Sequence, residues 1–140
     1  MNKNLQEMNL IDLLSEKHLA LRKRVTELYP DSINKTESHI LAVLEARQML
    51  SISEISRIIN ISRQGTHKSI QGLLSQGYVE AVDVAGNNRD KHIVLSSKGL
   101  ECNKKMLILK KQLEQQIIDK LGNSHVELIK TLLKEDWLDS

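Results

Sequence analysis

The chain has 140 residues, 40% hydrophobic and 27% charged, with a formal net charge of only +2. That is one domain's worth of ordinary globular composition, and so small a positive excess does not by itself argue for a nucleic-acid partner. No apolar run approaches a membrane span, the polar N-terminus has no signal-peptide core, and one cysteine excludes an intrachain disulfide framework, so a cytoplasmic protein with no membrane partner is expected.

Leu5, Met8, Ile11, Leu14, Leu21, Val25 and Leu28 recur at helical spacing, with Lys17, Arg22, Lys23 and Arg24 on or near the other face. They predict a long amphipathic helix from about Leu5 to Leu28. Tyr29-Pro30-Asp31-Ser32 breaks it, because proline stops a helix and biases the preceding residue away from the helical region. A second helix is expected to start near Asn34, where Asn34-x-x-Glu37 is a capping pattern, and to run through Ile40, Leu41, Val43 and Leu44 to about Met49.

The stretch from Ser51 to Ser97 organises the rest. Ser51-Ile52-Ser53-Glu54 is a capping box, and Ile55, Ile58 and Ile59 form a short apolar stripe on the helix it opens. Asn60-Ile61-Ser62 supplies a tight turn, with Ser62 as N-cap of the next helix. Wound at about 100° per residue, that helix places Thr66, Ile70, Leu73 and Leu74 on one side and Gln64, Lys68, Gln71 and Ser75 opposite, with Arg63 and His67 on the flank. One stripe is buried and the other presents donors, acceptors and positive charge, the chemistry that meets base edges and phosphates. Gln76-Gly77 ends the helix, with Gly77 suited to a left-handed cap. Tyr78–Val84 alternates as a strand, Gly86-Asn87-Asn88 is a turn, and His92–Leu95 is a second short strand. Helix, helix, hairpin predicts a winged helix-turn-helix.

Beyond the hairpin, Ser96 or Ser97 is expected to cap a long helix from Lys98 to Leu121, with Met106, Leu109, Leu113, Ile117 and Leu121 at three/four spacing. Gly122-Asn123 punctuates, and Ser124-x-x-Glu127 is expected to cap a last helix carrying Val126, Ile129, Leu132 and Leu133 as far as Leu138. The stripes of the first helix and of these last two exceed what the small winged unit can cover. A symmetric partner is the economical way to bury them.

From Ile55 to Leu100 the sequence resembles the MarR family of bacterial transcription regulators. The resemblance rests on Ser62-Arg63 opening the helix, Leu73-Leu74-x-x-Gly77-Tyr78-Val79 closing it, and Asn87-Asn88-Arg89 followed by Leu95-Ser96-x-Lys98-Gly99 in the wing. These cover about a third of the chain in the right order. The family's wing usually reads Asp-Arg-Arg, of which only Arg89 survives, so a pair between that acid and the wing arginine is weaker or absent here. Asn60 stands where glycine is common and also tolerates positive φ. Gly65, inside the helix, costs roughly 1 kcal/mol against alanine; close approach of backbone to DNA and mere incidence are equally compatible with it.

The expected fold is mainly α with a small β-hairpin wing: one MarR-like domain over residues 1–140, with dimerisation helices at 1–30 and 98–140 and a DNA-binding lobe at 34–97. The resemblance implies a homodimeric, ligand-responsive repressor on a pseudo-palindromic double-stranded operator, with a small-molecule effector between the dimer helices and the lobe. Ser62, Arg63, Gln64, His67, Lys68, Gln71, Asn88 and Arg89 are the expected DNA-binding residues. Arg63 or Gln64 suits bidentate base contacts, Ser62 and Lys68 suit phosphates, and Arg89 suits a narrow minor groove. The recognition helix carries no acid, whereas the three aromatics Tyr29, Tyr78 and Trp137 are too few for a single-strand stacking platform.

The other chemistry-bearing residues read more simply. The five histidines include no pair spaced to put two ligands on one helix face. His39, beside Glu37 and near His18 in the expected fold, is better accounted for by solvent or capping roles than by the metal site of zinc-sensing members. Neither metal nor cofactor is expected. Cys102 reads as a half-buried thiol and not as a redox sensor, since oxidant-sensing members carry theirs in the first helix. Lys104-Lys105 and Lys110-Lys111 read as solvated faces. There is no nucleophile elbow, P-loop or glycine cluster, so an enzyme is not expected. The rival class is a winged helix that holds a protein partner without binding DNA, favoured by the altered wing and the low net charge and opposed by the polar face from Gln64 to Gln71.

Overall fold

The computed structural model describes residues 5–29, 32–84 and 87–139; of residues 87–90 it describes the backbone alone. The breaking residues Pro30 and Asp31 and the turn residue Gly86 lie outside this set. The described chain falls into two compact units, one ending at Met106 and the other beginning at Leu107. Among the described residues no helix is long and apolar enough to cross a membrane.

In the first unit, α1 spans Leu10–Leu28 and not Leu5–Leu28; Leu5–Glu7 forms a separate 3₁₀ turn. Asn9 sets the boundary, because its extended backbone lets Oδ1 accept from the Asp12 amide at 2.8 Å and makes it the N-cap. The expected capping box opens α2 (Lys35–Arg47): Asn34 and Glu37 each accept from the other's backbone amide, at 2.9 and 3.0 Å. Helix α2 ends two residues earlier than the apolar pattern suggests. Gln48 takes φ 73°, and Met49–Ser51 peels off as strand β1. Three residues are too few to show a period, which is why no strand is expected there.

Ser51 ends β1 and at once caps α3 (Ile52–Ile59), accepting from the Glu54 amide at 3.1 Å while Glu54 accepts from the Ser51 amide at 2.9 Å. Asn60 closes α3 in the left-handed region at φ 57°, ψ 50°. Helix α4 (Arg63–Ser75) follows after two residues, with Ser62 Oγ accepting from the Gly65 amide at 3.0 Å. Gly77, at φ +83°, turns the chain out of α4 as its sequence position predicts.

Strands β2 (Val79–Val84) and β3 (Asn87–Leu95) pair antiparallel, and β1 adds to the far side of β3, giving the order β1-β3-β2. Ile93 sits opposite both Leu50 and Ala81. The second strand is therefore longer than His92–Leu95, and Asn87 and Asn88 belong to it and not to a turn. The sheet's side chains close over α2, α3 and α4, where Ile40, Leu41, Leu44, Ile55, Ile70 and Leu73 are all fully buried.

Helix α5 (Ser97–Leu121) begins where Ser96 Oγ accepts from the Gly99 amide at 3.1 Å and donates to the Gly77 carbonyl. A Cβ on Gly99 would lie 2.1 Å from the Tyr78 carbonyl oxygen, so glycine lets α5 start flush against the end of α4. One turn on, buried Asn103 donates to the Leu41 carbonyl at 2.9 Å, and Cys102 and Met106 enter the core. Cys102 is 2% exposed, deeper than the half-buried thiol expected.

The second unit holds the rest of α5 and α6 (Asn123–Leu133). Leu113 and Val126 are its buried residues, and Lys130 joins Glu114 at 3.2 Å across the two helices. The expected Ser124 cap is absent: Gly122 is the N-cap, and Ser124 is the second residue of the helix. The helix also stops at Leu133, five residues short of Leu138; Trp137 folds back to donate to the Leu132 carbonyl at 2.7 Å.

Candidate nucleic-acid interface

The polar face of α4 follows from how its other face is held. Thr66, Ile70 and Leu73 are fully buried, and the Thr66 hydroxyl is satisfied locally by donating to the Ser62 carbonyl at 2.9 Å. Burial of that stripe fixes the helix's rotation. Ser62, Arg63, Gln64, His67, Lys68 and Gln71 are consequently all exposed.

Arg63, Gln64, His67, Lys68 and Gln71 line one wall of an open concavity of about 720 Å³. Ile52 and Ser53 at the start of α3 and Lys91 of β3 complete its lining. Among the described residues no acidic side chain lines it; Arg63 and Lys68 stand on an acid-free, donor- and acceptor-rich helix, while the third cation of the lining, Lys91, is paired with Asp83. Five of the eight expected residues are thus gathered in one wall, and Ser62 sits at the head of the same helix with its Oγ engaged as the cap acceptor.

Asn88 and Arg89 lie on the backbone of β3, at the end of the hairpin away from Leu95. Their side chains are outside the described set.

Lys91 is the site residue that sequence reasoning misses. The sequence pattern does not single it out, whereas the structure places it in the lining of the concavity and pairs its Nζ with Asp83 Oδ1 at 3.2 Å across β2 and β3. The available signal was cross-strand pairing, readable only once the hairpin register is known. Elsewhere, His18 and His39 are close as expected, with ring centroids 5.7 Å apart. Among the described residues no group of three or more His, Cys, Asp or Glu gathers to hold a metal ion.

A helix, a left-handed turn, a second helix with an exposed polar face, and a hairpin beside it define a winged helix-turn-helix protein. Residues 32–90 match the sequence model of the MarR family. The likeness to that family is carried by this lobe. It is similar in structure to a cysteine-to-serine mutant of MarR from E. coli (TM-score 0.78, 18% identity, 95% of this chain and 97% of that one). It is similar also to such a mutant complexed with operator DNA (TM-score 0.73, 17% identity, 95% and 97%). A third likeness is to MepR, a transcription regulator of the Staphylococcus aureus multidrug efflux pump MepA (TM-score 0.69, 17% identity, 90% and 94%). At these identities the likeness establishes the fold. No curated protein sequence matches the chain.

Proposed function

We propose that this chain is a cytoplasmic, homodimeric transcription regulator that binds double-stranded DNA sequence-specifically, acting as a ligand-responsive repressor. The observation that carries the reading is the acid-free polar face of α4: Arg63, Gln64, His67, Lys68 and Gln71 line one concavity together with Lys91. A helix so exposed fits a major groove, which admits an α-helix and displays a distinct donor–acceptor pattern for each base pair. Arg63, in the first turn, brings a planar fork suited to guanine O6 and N7. Lys68, one turn after Gln64, brings a flexible point charge suited to a phosphate, and Asn88 and Arg89 extend contact through the wing.

Support for a dimer comes from apolar faces left open. On α1, Leu10 and Ile11 are 61% and 75% exposed, and in the second unit Leu107, Ile108, Leu128 and Leu133 are each at least half exposed. Isolated exposed apolar residues are normal, but repeated ones on helix faces mark a contact surface. A two-fold pair with one recognition helix per subunit requires half-sites about 10 base pairs apart or a multiple of it.

The test is a salt titration by fluorescence anisotropy on operator and scrambled duplex. Lys68→Ala should weaken binding to both duplexes alike and reduce the slope of log K against log salt by about 1 per contacting subunit. Arg63→Ala should cost about 1–3 kcal/mol per lost base contact and relax preference at one position of each half-site. Equal losses on both duplexes for both variants would mean that neither residue reads sequence. Wild type that binds no duplex at all would leave the protein-interaction reading standing.

A further inference from the structure

The three cations that line the concavity are not equivalent. Among the described residues Arg63 and Lys68 form no ion pair, whereas Lys91 is held by Asp83, Nζ to Oδ1 at 3.2 Å. Asp83 on β2 and Lys91 on β3 lie one residue beyond the Val82–His92 rung. Past this point the register slips, and Val84 faces Asn87. The pair thus stands at the step where the regular ladder ends, with Asn88 and Arg89 beyond it. Both side chains are mostly in water, 62% and 78% exposed, so the pairing adds little to the stability of the hairpin. Its consequence lies in the field. Two opposite charges this close present a dipole, whose reach is far shorter than that of a free ammonium. Lys91 brings a side chain to the lining but almost no net charge.

We propose that Asp83 is a restraint on DNA affinity: by neutralising Lys91 it takes one phosphate-attracting charge per subunit out of the interface; this rests on the DNA-binding reading above. A phosphate can capture Lys91 only by leaving Asp83 unpaired beside a polyanion, so the exchange gains little. Affinity drawn from phosphates is independent of sequence, because neutralising a phosphate releases counterions whatever base it carries. A regulator meets a vast excess of DNA that is not its target, and each surplus cation holds it there more firmly. With Lys91 matched, the free positive charge of the lining is confined to α4, beside Gln64, His67 and Gln71. Asp83 thereby leaves the choice of site to the helix whose donors and acceptors can read base edges.

The experiment titrates the full chain on a labelled random-sequence duplex, by fluorescence anisotropy, between about 50 and 200 mM potassium chloride. Asp83→Asn should bind more tightly than wild type and steepen the slope of log K against log salt by about 0.9 per contacting subunit. Its advantage should shrink about 3.5-fold per subunit across that salt range. Asp83→Glu, which keeps the charge, should follow wild type. So should Asp83→Asn combined with Lys91→Gln, from which the freed cation is gone. Glu80→Gln makes the same charge change three residues earlier on β2, hence on the other face of the strand, and should leave the slope unaltered. Circular dichroism checks the fold of each variant, and Asp83→Ser repeats the test if the asparagine variant misfolds.

Asp83→Asn with the affinity and slope of wild type overturns the proposal and leaves DNA binding standing. Glu80→Gln that steepens the slope as much also overturns it, since whole-chain charge then suffices. A double variant as steep as Asp83→Asn does the same, because Asp83 would not be acting through Lys91. If neither wild type nor Asp83→Asn binds any duplex at low salt, the restraint and the DNA-binding reading fall together. Wild type too weak to measure beside an Asp83→Asn variant that binds upholds the restraint.

Discussion

The winged lobe and the helical ends of this chain use similar apolar residues to opposite effect. In the lobe, six aliphatic side chains of α2, α3 and α4 are fully buried, and each helix start is tied by a side-chain cap. In the second unit only Leu113 and Val126 are buried, α6 starts without a side-chain cap, and Leu128, Ile129, Leu132 and Leu133 stay 43–55% exposed. The lobe's apolar surface is satisfied within one chain. That of the ends is not, and the difference teaches that folding of the lobe and coverage of the ends are separable problems. Substitutions in the two regions should therefore report on different equilibria.

The largest effect belongs to Gly99→Ala. The added Cβ meets backbone at Tyr78 and not a side chain that can swing away, so we expect a loss of about 3–4 kcal/mol in urea unfolding. A loss below about 1 kcal/mol would show that α5 is not held flush to the end of α4, and would break the picture of a rigid lobe.

Next is Leu133→Lys on the exposed face of α6. In a symmetric dimer the substitution occurs twice, and about 1.5 kcal/mol of lost apolar burial per copy adds to about 3 kcal/mol, roughly a hundredfold weaker association. Sedimentation should shift toward the 16.0 kDa chain mass, while the lobe's far-ultraviolet signature persists. An unchanged sedimentation profile would remove α6 from the interface.

A smaller effect tests the lobe's caps. Ser51→Ala should cost about 1 kcal/mol in chemical denaturation at neutral pH. The same box has a pH signature. The Ser51 amide, then its hydroxyl, hold the Glu54 carboxyl below its ordinary value of 4.5. A depressed folded pKa contributes stability that is present above the ordinary value and is lost as pH falls through the lowered one. The gap between wild type and Glu54→Gln should narrow below pH 4.5, and a constant gap would contradict the linkage.

The smallest effect is Gly65→Ala. Alanine gains up to about 1 kcal/mol of helix propensity, but its Cβ would press the capping Ser62 Oγ at 3.1 Å. We expect a net change within about 0.5 kcal/mol in the same denaturation assay. If DNA affinity nevertheless falls at unchanged stability, close backbone approach explains this glycine; if affinity holds, its presence is incidental.

Local signals carried most of the lobe. Ser51 with Glu54, Asn34 with Glu37, Ser62, Asn60 and Gly77 each act through bonds or torsions within about four residues, so their roles are legible from order alone. The four- and three-residue spacing of Thr66, Ile70 and Leu73 likewise determined which side of α4 is exposed, and with it five residues of the concavity lining. Propensity failed where competition was subtle: Asn9 took the cap from Leu5's turn, and Gly122 displaced the Ser124 pattern. What only tertiary structure decided are the pairings between distant segments. Strand β1 exists because β3 offers it a ladder, Lys91 faces the concavity because β2 supplies Asp83, and Arg22 is shut in because α2 and the Asn60 turn close over α1. None of these partners is within reach along the chain, and a side chain's charge or spacing says nothing of what folds against it.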